Sequence, residues 1–181
     1  FVGAGTTGVS SGLHGYDIEI TQAATRTTHT GIVALTQAMI DAEEQITITE
    51  SGRSVDFKTK AGTTIEQTLN ELDKAIKTAG LNVELIRDVS SKAVRNSPQQ
   101  LTLRHTKFGS EYFFQVSSNT AGLLSAVADV SERVQNGVDI AGEIAGEGAL
   151  GRGQVLTGAG GFGSKAEGII IRYDGLTAPP A

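Results

Sequence analysis

The chain has 181 residues and no cysteine, which removes disulfides, thiolate metal sites and thiol nucleophiles in one step. A formal charge of −5 with no basic run argues against binding to a phosphate backbone, so no nucleic-acid partner is read. At 39% hydrophobic residues the chain folds as one large or two small domains. It has no apolar stretch of about 18 residues to span a membrane, and no charged-then-apolar leader.

The chain opens on Gly3-Ala-Gly5-Thr-Thr-Gly8, which matches the G-x-G-x-x-G spacing of a dinucleotide-binding turn. That turn needs a helix behind it, whose free N–H groups meet the pyrophosphate. None is readable here. Residues 16–21 alternate apolar and polar and predict a half-buried strand, with Asp17 and Glu19 on a solvated face. Residues 23–30 read as an extended, Thr-rich exit. Residues 32–44 are ambiguous: Ile32, Leu35 and Met39 form one helical face or belong to an irregular crossing.

Residues 45–49 and 53–58 alternate on either side of Ser51-Gly52, a β-hairpin signal. Thr63 and Glu66 read as a capping box. The helix behind it, residues 64–79, carries Ile65, Leu69, Leu72 and Ile76 on one face and stops at Gly80. Residues 81–85 predict a strand and 89–98 a polar loop. Residues 101–105 and 112–116 predict a second hairpin around Phe108-Gly109-Ser110, with His105 at its rim. Leu123, Val127, Val130 and Val134 predict a short amphipathic helix within 121–136. From residue 138 short strands alternate with glycine turns, an all-β pattern. The chain ends on a linker-like Thr-Ala-Pro-Pro.

A second G-x-G-x-x-G match, Gly158-Ala-Gly160-Gly-Phe-Gly163, is followed by Lys165-Ala-Glu167-Gly168 and then by the strand-like Ile169, Ile170, Ile171 and Tyr173. It joins two strands, so no nucleotide cofactor is expected. His14, His29 and His105 lie far apart, in no metal-ligand spacing. Neither paired carboxylates nor a Ser/His/Asp order nor a P-loop is legible, so the expectation is of no catalytic, cofactor or metal site and no enzyme.

Two segments resemble a known family. Tyr16-Asp-Ile-Glu-Ile-Thr-Gln-Ala-Ala-Thr resembles the Y-x-V-x-V-T-Q-x-A strand of bacterial flagellar filament cap proteins, also called hook-associated protein 2. Residues 138–175 resemble their later segment, D-V-A-G-T-I-x-G-x-x-A-x-G-x-G-Q-x-L-T-G, then a variable loop, E-G-L and a strand ending Y-x-G. Asp139, Ala141, Gly142, Ile144, Gly146, Ala149, Gly151, Gly153, Gln154, Leu156, Thr157, Gly158, Glu167, Gly168, Tyr173 and Gly175 fit it. Residues 46–85 resemble the hook IN βαβ motif of flagellar axial proteins. Cap proteins of this family have coiled-coil terminal regions and this chain has none, which implies the outer pair of domains of a longer protein.

The expected fold class is α+β and β-rich. A discontinuous β domain, 1–40 and 120–181, carries an inserted αβ domain, 41–119, built as hairpin, helix, strand, hairpin. The resemblance implies a structural role: helping flagellin subunits assemble at the filament tip, with self-association into a cap oligomer. It also implies an extracellular place at that tip, reached by the flagellar export route without a cleaved signal peptide. The interface toward flagellin or a second copy is not assigned to any residue. Two alternatives stay open: another flagellar axial protein, as a flagellin or hook-junction outer domain, and a surface adhesin module with host glycans as partners.

Overall fold

The computed structural model describes residues 15–87, 90, 92–161 and 163–178. In chain order its elements are β1 (Ile18–Gln22), β2 (Arg26–Leu35), α1 (Gln37–Asp41), β3 (Gln45–Glu50), β4 (Arg53–Lys58), α2 (Ile65–Thr78), β5 (Val83–Ile86), α3 (Lys92–Arg95), β6 (Gln99–Phe108), β7 (Gln115–Ser118), β8 (Glu132–Arg133), β9 (Ala141–Ile144), β10 (Glu147–Arg152), β11 (Val155–Gly158) and β12 (Ile170–Arg172). They divide into two compact units. The β unit takes the chain up to Arg26, the short return Lys107–Tyr112, and the chain from Asn136 onward. The αβ unit takes Thr27–Thr106 and Phe113–Gln135.

The β unit is one antiparallel sheet, ordered β1-β9-β10-β11-β12. Ile18 lies opposite Ile144 and Ile20 opposite Gly142, with a bulge before Gln22. The two family-like segments, distant in sequence, therefore share a sheet. Ala145 and Gly146 turn between β9 and β10 with φ of 56° and 75°, the left-handed pair that a two-residue hairpin loop requires. Ile20, Ala24, Ile140, Ile144, Leu156, Ala166, Ile169 and Ile171 form the core.

The αβ unit holds two sheets, β4-β3-β7-β8 and β2-β6-β5, with α2 against β4 and β5. The β3–β4 hairpin closes on Ser51 and Gly52, with φ of 50° and 77°. All four predicted face residues of α2 are buried, and Gly80 follows the cap with φ of 67°. The capping box sits one residue later than the sequence suggests. Thr64 is extended, its Oγ1 accepts from Gln67 N at 3.2 Å, and Gln67 Oε1 accepts from Thr64 N at 3.0 Å. The Thr63 hydroxyl instead donates to Lys60 O at 2.7 Å.

Four further expectations are corrected. Residues 26–35 form a full strand, and the ambiguous stretch behind them contains only the short α1, capped by Thr36. The second hairpin does not form: β6 pairs with β5 in one sheet and β7 with β3 in the other. Alternation marked both as strands but could not name their partners. Residues 121–136 are not a helix. Leu123 and Val134 are buried, but Val127 and Val130 are 60% and 51% exposed. Ser118 Oγ accepts from Leu124 N and Ser125 N at 3.1 and 3.2 Å, and such local side-chain bonds divert backbone donors from a helical ladder. The unit boundaries also lie elsewhere than 1–40, 41–119 and 120–181. Residues 27–40 and 120–135 belong to the αβ unit, and Lys107–Tyr112 to the β unit.

Candidate functional site

The densest polar cluster in the β unit centres on Asp139. Its Oδ2 accepts from Ser110 Oγ at 2.5 Å, and its Oδ1 accepts from Gly153 N at 2.7 Å and Ser110 N at 3.1 Å. Burial pushes its pKa up, but these bonds and the Arg152 charge outweigh that and hold it below the usual aspartate value. Around it Gln22 Nε2 donates to Asp139 O at 2.9 Å, Gly109 N to Thr25 O at 2.9 Å, and Asn136 Nδ2 to Ser110 O. Arg26 stacks on Phe108 at 4.4 Å, and Arg152 pairs with Glu111 at 2.8 Å. The carboxylate thus fastens the return Lys107–Tyr112 to the β10–β11 turn, and the Asp139 backbone carbonyl holds Gln22 at the end of β1. Of the motif residues, Asp139 and Gly153 meet here directly.

Packing accounts for the first glycine of the second dinucleotide-pattern match. Gly158 lies in β11 and donates to Ile169 O at 2.8 Å. A Cβ there would overlap the Ala166 carbonyl. The loop behind it is held by Glu147, which accepts from Ser164 Oγ at 2.6 Å and Lys165 N at 3.0 Å. The Ser164 bond, then the Lys165 bond, lowers the Glu147 pKa. A carboxylate takes up the loop's donor and would repel a phosphate. The first match, at Gly3, Gly5 and Gly8, lies outside the described residues, as does His14.

His105 is a correction. It is 1% exposed, not at a rim, and faces Glu50, itself 4% exposed, at 3.6 Å. Burial raises the Glu50 pKa, but hydrogen bonds from Ser51, Asn82 and His105 outweigh it and leave it lowered. His29 Nε2 lies 2.6 Å from Leu124 O. Buried Glu44 accepts from Thr120 N at 2.9 Å. Each of these groups is spent on holding loops. Among the described residues no three His, Asp or Glu side chains converge as a metal site would require, and no helix is long and apolar enough to cross a membrane.

What remains is a surface. On the open face of the β-unit sheet, Leu150, Thr157 and Ile170 lie in one cross-strand row, and Arg152, Val155 and Arg172 in the next. Leu150 is 70% exposed and Ile170 37%. Arg172 pairs with Asp174 at 2.8 Å. At the other side of the same face, exposed Glu19 lies opposite exposed Glu143, beside exposed Asp17. The face is apolar and basic toward β12 and acidic toward β1. Sequence reading missed this face because it depends on register across strands, which alternation alone does not give.

Solved structures match this arrangement along almost the whole chain. The D2–D3 domains of the flagellar cap protein FliD from Escherichia coli align with a TM-score of 0.60 over 98% of this chain and 89% of that one, at 15% identity. The D2–D3 domains of the flagellar cap protein from Serratia marcescens align with a TM-score of 0.56 over 98% and 92%, at 16% identity. The chain has the fold of flagellar cap D2–D3 domains. Against the three-domain D1–D2–D3 structure from E. coli the TM-score is 0.51 at 16% identity, and the chain spans 42% of that structure's length. No family model and no curated protein sequence matches the chain.

Proposed function

We propose that this chain is the outer portion of a flagellar filament cap, which assists the insertion of flagellin subunits at the growing tip. The observation that carries the reading is the shared D2–D3 fold over 98% of the chain. The motif segment supports it, since its residues form β9 to β12, the glycine-permitted sheet of the β unit. The role is steric and non-enzymatic: the polar clusters fasten loops, and the open sheet face offers contacts. Self-association into a cap oligomer, an extracellular position at the filament tip, and export by the flagellar route without a cleaved signal peptide belong to the same proposal.

The test is electron microscopy of cells lacking the gene that encodes this chain, with flagellin measured in the medium. The proposal expects absent or stunted filaments and shed flagellin monomer, both reversed by the restored gene. Full-length filaments with ordinary tips would contradict it.

A further inference from the structure

Asn136 is followed by Gly137. In this pair the backbone nitrogen of the second residue is least hindered by a side chain, so it can attack the Asn carboxamide. The Gly137 nitrogen bonds to Asn136 Cγ, the Cγ–Nδ2 bond breaks, and Nδ2 leaves as ammonia with the Gly137 proton. Water then opens the five-membered imide to aspartate or isoaspartate. Nothing is oxidised or reduced, and water is the only reactant added. Both halves of the pair are fixed by the β unit. A Cβ at position 137 would overlap the Thr25 carbonyl, so only glycine fits. Asn136 Nδ2 donates to the Ser110 carbonyl in the return Lys107–Tyr112.

The same hydrogen bond controls the chemistry. Attack requires the carboxamide to turn toward the Gly137 nitrogen and release Nδ2, whereas docking holds Nδ2 on Ser110 and keeps Gly137 buried. The observed rate is then the rate in the open chain multiplied by the fraction of time the segment is open. The product cannot dock in the same way. A carboxylate at 136 faces the Ser110 carbonyl, acceptor against acceptor, and adds a negative charge beside the partner of Asp139. Isoaspartate also lengthens the backbone by one methylene.

We propose that Asn136–Gly137 is a site of spontaneous deamidation gated by the docking of Lys107–Tyr112, so that permanent covalent change accumulates at the pair in proportion to the time this segment spends open.

The test follows deamidation of the folded chain at mildly alkaline pH by peptide mapping and mass spectrometry. The unstructured peptide Val-Gln-Asn-Gly-Val-Asp serves as reference. The folded chain is expected to react at least ~100-fold more slowly than the peptide, as a segment open about 1% of the time would. Ser110→Ala removes the hydroxyl bond to Asp139 but keeps the carbonyl that Asn136 uses, and should speed the reaction about tenfold. Should that variant not fold, the wild-type chain in rising sub-denaturing urea serves instead, and its rate should climb steeply. Asn136→Gln, which would need a six-membered ring, should stay intact. A folded rate equal to the peptide's would overturn the proposal. So would a slow rate that neither Ser110→Ala nor urea increases.

Discussion

The two units are held together in different ways. Among the described residues the αβ unit gathers nineteen buried apolar side chains into one cluster, from Leu35 to Val134, whereas the β unit gathers eight, two of them alanines. The β unit compensates with close backbone approach. Cβ atoms at Gly142, Gly151 and Gly158 would overlap the carbonyls of Glu19, Ile140 and Ala166. It adds the Asp139 cluster, where the carboxylate fastens residues 107–112 to the β10–β11 turn and the backbone carbonyl holds Gln22. The lesson is that a glycine-rich sheet with a small buried core can be specified by what it excludes. Side chains of ordinary size are absent where backbone must lie, and a charged clamp does what a larger core does in the other unit.

Substitutions can break this contrast one unit at a time. The largest loss is expected from Leu72→Ala, fully buried in the αβ core: about 2–5 kcal/mol by urea unfolding. A loss below ~0.5 kcal/mol would mean that the face of α2 is not packed as described. Gly151→Ala should cost about 1–3 kcal/mol through overpacking, although it adds apolar surface. A neutral result would remove close approach as the reason for glycine there. Asp139→Asn keeps the shape but not the charge and should cost about 1–2 kcal/mol, read as faster amide exchange at Ser110 and Gly153.

The same clamp predicts a pH dependence. Because the folded Asp139 has a lowered pKa, its contribution is complete above the ordinary aspartate value of about 3.9. It is lost as pH falls through the folded value, and Asp139→Asn should flatten that acid limb. The smallest effect is expected at the helix cap. Thr64→Ala should lower stability by about 1 kcal/mol, while Thr63→Ala should leave the cap bond intact.

Much of this contrast was legible in the sequence, and the failures share a cause. The β3–β4 hairpin, α2 and the strands from residue 138 were readable because their signals are local: a two-residue turn, one apolar face, glycine punctuation. The shared sheet of β1 and β9 was reachable because neither segment could bury a face alone. Phe108-Gly109-Ser110 looked like a hairpin turn, but its glycine serves a remote neighbour. Gly109 has φ of 112°, and a Cβ there would press on Asp139 Oδ1 and the Gly153 backbone. His105 reads as a rim residue because the alternation fades after it, yet β6 runs on to Phe108, so no rim exists at 105. The Thr63 cap failed by one residue because Thr-Thr offers two hydroxyls, and backbone angles choose between them. The Asp139 clamp had one visible trace, an aspartate within a glycine-dense motif, but its partners lie 14 and 29 residues away.

The central contrast is between a β unit fastened by its carboxylate clamp and glycine contacts and an αβ unit held by apolar burial. Native-state amide hydrogen exchange, resolved by residue, on the wild type, Leu72→Ala and Asp139→Asn tests it most directly. Leu72→Ala should lower protection in β3, β5 and α2 and leave β10 and β11 nearly unchanged. Asp139→Asn should lower it in β10, β11 and residues 107–112 and leave α2 unchanged. If the two variants lowered protection equally in both units, the contrast between the units would be wrong.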